Sequence, residues 1–238
     1  MAAEPNGMRN FYTGLVVVAV LGLGAILYQV LKPAIVSIPA NVAVQASDTA
    51  GFQGYVLGSP DAPVEITEFA DYQCPFCQTF ATIQMPAVQE RLIKTGRLRL
   101  RYRDFPLDIH SHSRLAAHAA ACANDQGKYW PMHDRLYEGQ GDWSSARDAG
   151  AIFHGYAQQL GLDVGVYDAC MKSAKYAGRI QASYDLAVRV GVGSTPTLLV
   201  GGRLWSGRMD SDAIIHLVDS LAPPAPAAAP RDTARAGT

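Results

Sequence analysis

The 238-residue sequence has few cysteines, no excess of either charge and no internal repeat. With 20 basic and 21 acidic side chains and a formal net charge of −1, it offers no basic field for a nucleic-acid partner. Four cysteines are too few for a miniprotein stapled by disulfides and too scattered for a zinc finger. Between Arg9 and Lys32 charge is absent altogether. What is present is apolar material: hydrophobic residues make up 49% of the chain, ample for a medium-sized core.

The uncharged stretch sets the first expectation. At ~1.5 Å per residue, the roughly 20 residues of 11–31 cover a hydrocarbon core about 30 Å thick. Phe11, Tyr12 and Tyr28 stand near its ends, where aromatic rings favour the membrane interface. Arg9 and the terminal amine face only Lys32, which orients residues 1–10 toward the cytoplasm and the rest of the chain outward. The rival is a cleaved signal peptide with Val44-Gln45-Ala46 as its processing site. Such peptides have apolar cores of about 7–15 residues, shorter than this one. Residues 32–53, with two prolines and mostly small or polar side chains after Val36, read as a linker, and the Pro/Ala-rich tail 222–238 reads as disordered.

Between linker and tail the pattern is mixed α/β. Residues 64–70 alternate as a strand after a Ser59-Pro60-Asp61 turn, and a helical stretch then runs to about Thr95, with Gly96 as its stop. Leu98, Leu100 and Tyr102 alternate with Arg97, Arg99, Arg101 and Arg103, a strand with one basic face that is read as solvated rather than phosphate-binding. Helical periodicity fills about His110 to Val190. Thr197-Leu198-Leu199-Val200, Gly201-Gly202 and Arg203-Leu204-Trp205-Ser206 form a hairpin, and a last helix starts at Ser211. The expectation is an α/β layer interrupted by an all-helical insertion.

Cys74-Pro75-Phe76-Cys77 sits where the first strand gives way to a helix. A cysteine at a helix N-terminus has its thiolate stabilised by unpaired N–H groups and the helix dipole. A second one three residues on is placed to resolve a mixed disulfide. Pro75 suits the first helical turn, where its missing N–H costs nothing. Half a metal site or a structural bridge are the other readings. Tetrahedral zinc, however, needs further ligands at matching spacing, and the histidines are dispersed; no metal is expected. Glu68 shares strand parity with Val64, Ile66 and Ala70, so an apolar face carries one carboxyl beside the dithiol. Burial should raise its pKa and let it exchange a proton with Cys77; a solvent-reaching glutamate at the strand end is the alternative. Gly193-Ser194-Thr195-Pro196-Thr197 places an X–Pro bond, where cis peptides occur, directly before a strand.

Together these motifs resemble the DsbA-like thiol oxidoreductases. The stretch from Glu68 to Cys77 is similar to that family's active-site strand and helix. Arg103-Asp104-Phe105-Pro106-Leu107 with His110, and Gly127-Lys128-Tyr129-Trp130 through His133-Asp134 and Leu136-Tyr137, resemble its helical domain. Gly193 to Thr197 resembles its cis-proline loop, and the likeness runs from about Gly54 to Leu221. It implies a thioredoxin-like fold (54–106 and 192–221) with an all-helical insertion (107–191), which the apolar run at 11–31 would precede as one transmembrane helix. It makes Cys74 the exposed nucleophile, Cys77 the resolving sulfur and Glu68 the buried acid. Thr195, Pro196 and Phe76 become substrate-binding residues around a cis bond. No cofactor is implied beyond the Cys74–Cys77 pair. Phe76 stands where the strongest oxidants of the family carry His, and it offers the Cys74 thiolate no polar help, so oxidising power short of the extreme is expected.

The activity expected is transfer of disulfides to exported cysteine-containing proteins outside a bacterial inner membrane, on the periplasmic or cell-exterior side. By the resemblance, a membrane quinone-linked reductase (DsbB-like or VKOR-like) reoxidises the dithiol, and membrane lipid surrounds the single-pass anchor. A reductase or isomerase, for example in cytochrome maturation, and a non-catalytic metal or chaperone module remain the alternatives. Of the two other cysteines, Cys122 shares a helical stripe with Leu115 and Ala119, and Cys170 a face with Val166 and Tyr167. Both faces point into the core of the insertion. In an oxidising compartment a structural Cys122–Cys170 disulfide is expected, two independent buried thiols being the alternative.

Overall fold

The computed structural model describes residues 6–31, 36–207 and 209–222. The chain forms two units, Met1–Ile35 and Val36–Thr238. The first contains α1 (Asn6–Leu31), in which Met8–Ile26 is an apolar stretch long enough to cross a membrane; a signal sequence has the same character. Lys32 and the start of the expected linker, as well as the expected disordered tail from Pro223 onward, lie outside the described residues.

The second unit is built on a five-stranded sheet of order β1-β3-β2-β4-β5. Its centre is β2 (Val64–Ala70), parallel to β3 (Leu98–Asp104) in a register that sets Glu68 opposite Tyr102. Two neighbours in a parallel sheet need a crossover, and here it is the helical segment that begins at the dithiol. It comprises α3 (Pro75–Thr79), a π-helical turn (Phe80–Gln84), α4 (Met85–Val88) and a second π-helical turn (Gln89–Ile93). Pro86 has no N–H to give Thr82's carbonyl, and the wide turns accommodate that break. β4 (Thr197–Val200) returns antiparallel to β2, and β5 (Arg203–Ser206) folds back on β4 through Gly201 and Gly202, whose φ of 54° and 79° suit the tight hairpin.

Between β3 and β4 comes the helical insertion. It contains α5 (Ser113–Asn124), α6 (Tyr129–Glu138), α7 (Gln140–Trp143), α8 (Ala149–Gln159), α9 (Val164–Ser173) and α10 (Ala177–Arg189); a single helical turn, α2 (Ala46–Thr49), comes earlier in the chain, before the sheet. Asp148 and Asp163 cap α8 and α9 by accepting backbone N–H groups at the third helical position. The closing helix α11 (Ser211–Leu221) packs Ile214, Ile215 and Val218 against Ile66, Leu92, Leu98 and Leu100. The opposite sheet face is covered at Phe69 by Phe105, Ala187 and Val192. A third cluster, from Tyr102 and Cys77 to Leu136, Trp143 and Phe153, joins the sheet to the insertion. The α/β layer with its helical insertion is therefore present as expected.

Three local expectations need correction. Residues 36–53 are more than a spacer. Ile38 is buried, Val36, Val42 and Phe52 lie against the core, Asn41 N–H reaches Gln181 Oε1 at 3.0 Å, and the Arg179 guanidinium lies 4.3 Å from the Phe52 ring centre. These apolar residues follow no helical or strand period, so each buries without leaving a pattern. The short strand β1 (Tyr55–Leu57), antiparallel on β3, was hidden for a related reason: three residues are too few to show alternation. And Val166 is exposed, so only Tyr167 of its pair turns inward with Cys170. The basic face of β3 is also less open than its sequence suggests: Glu65 takes both Arg99 and Arg101, and Arg97 pairs with Asp219.

Cys122 and Cys170 are joined by a disulfide with a Cα–Cα distance of 5.8 Å, tying α5 to α9 across a sequence separation of 48. Closing a loop of that length stabilises the insertion by about 4 kcal/mol in the chain-entropy model. His118 lies against it, its Nε2 3.5 Å from Cys122 Sγ. Among the described residues this trio alone has the proximity of a metal-ligand set, but the disulfide ties up both thiolates that a metal would need.

Candidate active site

The chain leaves β2 at Ala70 and turns through Asp71-Tyr72-Gln73 into Cys74, the N-cap of α3, with Pro75 at its first position. Cys74 is extended (φ −73°, ψ 123°), which aims the N–H groups of the first turn back at its own sulfur. Its sulfur lies 3.5 Å from the carbonyl of Thr195, and the Thr195–Pro196 bond is cis. The remaining two cysteines are free thiols; Cys74, expected to be exposed, is only 4% exposed because the Thr195 loop lies against its sulfur, and Cys77 is fully buried.

The two sulfurs are driven in opposite directions. Cys74 is lowered to about 5, chiefly by the Cys77 thiol donating to it, with Thr195 and the backbone N–H groups of Cys77 and Phe76 adding to this against the effect of burial. Cys77 is pushed well above the ordinary thiol range, first by burial, then by the Cys74 thiolate it serves and by the Glu68 charge. Glu68 is 2% exposed, and burial alone raises it to about 8. The site thus holds one thiolate, one neutral thiol and one protonated carboxyl near neutral pH.

Phe76 stands out from the helix at 53% exposure. With Pro196, Phe80, Met209 and Asp210 it lines a groove of about 340 Å³ beside the dithiol. Cys74, Cys77, Glu68, Phe76, Thr195 and Pro196 therefore converge on one end of the sheet, whereas Cys122 and Cys170 lie apart in the insertion.

Several residues that hold this site have no motif to announce them. The buried Asp71 carboxylate accepts from Gln73 N (2.7 Å), Leu107 N (2.8 Å), Ser113 Oγ (2.6 Å) and His110 Nδ1 (2.7 Å), binding the active-site turn to the entry of the insertion. Gln140 donates to the carbonyls of Tyr72 and Cys74, and Gln78 to that of Tyr137. The bond from Asp71 to Gln73 is a local Asx-turn, which its spacing could have disclosed; the other three cross the fold.

The comparisons with known proteins point the same way. A protein-family model described as thioredoxin matches residues 52–220. The Na(+)/H(+) antiporter NhaA 1 of Salinispora arenicola is 36% identical over 167 residues, covering 70% of this chain but 24% of the antiporter. The chain thus spans about a quarter of the length of such curated relatives. The probable disulfide bond formation protein D of Bacillus anthracis is 28% identical over 162 residues, covering 65% of this chain and 73% of that protein. Among solved structures, oxidised BdbD from Bacillus subtilis is similar with a TM-score of 0.64 at 25% identity, covering 77% of this chain and 98% of that one. DsbA of Chlamydia trachomatis, at 19% identity and a TM-score of 0.65 over 77% of this chain and 97% of its own, shares the fold.

Proposed function

The chain belongs to the thioredoxin family, as a DsbA-like thiol–disulfide oxidoreductase, and from that premise we propose that it gives disulfides to exported proteins while anchored in a bacterial inner membrane. The observation that carries this direction is the split between the sulfurs, with Cys74 lowered to about 5 and Cys77 held neutral. A stabilised thiolate favours the reduced enzyme, and so favours passing the disulfide outward.

In the proposed cycle a substrate thiolate attacks Cys74 of the oxidised pair, and the electrons of the broken bond go to Cys77. Glu68 supplies the proton that Cys77 takes up. A second substrate thiolate then attacks the substrate sulfur of the mixed disulfide, releasing Cys74 as a thiolate and the substrate as a disulfide. Phe76 and Pro196 offer an apolar seat for the substrate, and the Thr195 backbone beside Cys74 can pair with an extended chain. A quinone-linked membrane reductase, DsbB-like or VKOR-like, reoxidises the dithiol. Retained as a single-pass anchor, α1 keeps enzyme and reductase in one plane and raises their effective concentration, with the catalytic unit outside the cytoplasm.

Direction is tested by mixing the oxidised protein with an equimolar reduced, unfolded protein that has one native disulfide. Thiols should pass to Cys74 and Cys77 within the time of mixing while the substrate loses its own. An equilibrium that leaves the dithiol oxidised and the substrate reduced makes the protein a reductase.

A further inference from the structure

Glu68 is buried, yet in every turnover its carboxyl must lose a proton and regain one. Its register partner across the parallel pair is Tyr102, so the two side chains share one face of the sheet. Tyr102 Oη lies 2.9 Å from Tyr137 Oη, and both residues are fully buried. Tyr137 comes from α6, and its carbonyl accepts from Gln78, the neighbour of Cys77. It also forms part of the wall of a second groove, of about 340 Å³, lined by Thr82, Gln89, Asp134 and Glu138 and separate from the apolar one beside Phe76. Tyr137 thus links Tyr102, the neighbour of Glu68 in the sheet, to the segment that follows Cys77, and it borders the groove from a buried position.

We propose that the Tyr137 hydroxyl, braced by Tyr102, is a positioning group for Glu68: it donates to the carboxylate as the proton leaves for Cys77, and lets a proton return from the Asp134–Glu138 groove. The inference rests on the roles given above to Cys77 and Glu68. The step balances: attack on Cys74 breaks the Cys74–Cys77 bond, Cys77 keeps the electron pair and takes the Glu68 proton, and solvent reprotonates Glu68 through the hydroxyls. The substrate's dithiol is the reductant.

The electrostatics agree with this placement. Tyr137 is pushed well above the ordinary phenol range, first by burial and then by the charges of Cys77 and Glu68, so it stays a donor at any working pH. The other ionisable groups facing it are Tyr72 from the turn after β2, Tyr102 from β3 and His133 from α6 itself. Asp104, raised to about 7 by burial, acts on Tyr72 and Tyr102; its register partner is Ala70 rather than Glu68.

The test is the rate of reduction of the oxidised full chain by dithiothreitol, corrected for the reagent's thiolate fraction, from pH 5 to 10. The native protein should slow above an inflection near 8 as Glu68 ionises. Glu68→Gln should lose the inflection. Tyr137→Phe should move it up by about one pH unit, because the carboxylate loses a donor, and should lower the rate below it about tenfold. If Tyr137→Phe leaves Tyr102 stranded and fails to fold, the double change Tyr102→Phe/Tyr137→Phe removes both hydroxyls together and keeps the shape. A tyrosine variant whose profile superimposes on the native one, while Glu68→Gln loses the inflection, overturns the proposal and leaves Glu68 its role. A native profile in Glu68→Gln overturns both.

Discussion

Cys77→Ser should accumulate mixed disulfides with exported proteins, and Cys74→Ser should form none, with both variants losing about 10³-fold or more in turnover. The asymmetry follows from access and protonation. The Cys74 sulfur lies against the Thr195 carbonyl, next in the chain to Pro196 of the apolar groove, and its thiolate is lowered to about 5. The Cys77 sulfur is fully buried behind it and held in its neutral form. In Cys77→Ser the Cys74 thiolate attacks a disulfide of an oxidised substrate, one substrate sulfur leaves as a thiolate, and no internal thiol can release the mixed disulfide that remains. Cys74→Ser leaves only a sulfur that substrates do not reach. The check is non-reducing electrophoresis of each variant recovered from cells after acid quenching. Equal trapping by the two variants contradicts the assignment of attacking and resolving sulfurs.

Asp71→Ala should cost roughly 3–5 kcal/mol of stability, the range for removing one partner from a buried charged network. Four donors converge on this carboxylate at 2.6–2.8 Å, and the residue is 1% exposed. Hydrogen bonds to a charged group contribute about 1.5–3 kcal/mol each in isolation, and truncating the acceptor strands the donors without water. A domain of this size is stable by about 5–15 kcal/mol in total, so the variant should lie near its folding threshold. Urea unfolding at pH 7 measures it directly. A loss below about 1 kcal/mol means that the four donors find other partners and that the turn does not depend on Asp71. Because Leu107, His110 and Ser113 belong to the entry of the insertion, the same change should loosen the join between sheet and helices as well as the dithiol turn.

How much of this could be read from residues alone depended on whether the determining contacts were local. Strand alternation in β2 and β3, the glycine turn between β4 and β5 and the helical period of the insertion are local, and all are found in the fold. β1 and residues 36–53 owe their places to partners far along the chain, Tyr102 and Gln181 among them. The site divides in the same way. The strand–Cys-x-x-Cys–helix arrangement marks the dithiol, and parity marks Glu68 as inward-facing. Asp71, Gln140 and the Tyr102–Tyr137 pair act across the fold and leave no spacing to read. Phe76 shows the two levels side by side. Its side chain offers Cys74 no polar help, but its backbone N–H does, together with that of Cys77, as the helix-start position of Cys74 implies whatever residue follows.

The equilibrium potential of the Cys74–Cys77 pair in glutathione buffers at pH 7 tests the proposed direction of transfer most directly. Stabilisation of the Cys74 thiolate should place it between about −200 and −120 mV, with the disulfide thermodynamically eager to leave. A value at or below about −270 mV, the level of thioredoxin itself, would contradict a disulfide donor and make the dithiol a reductant.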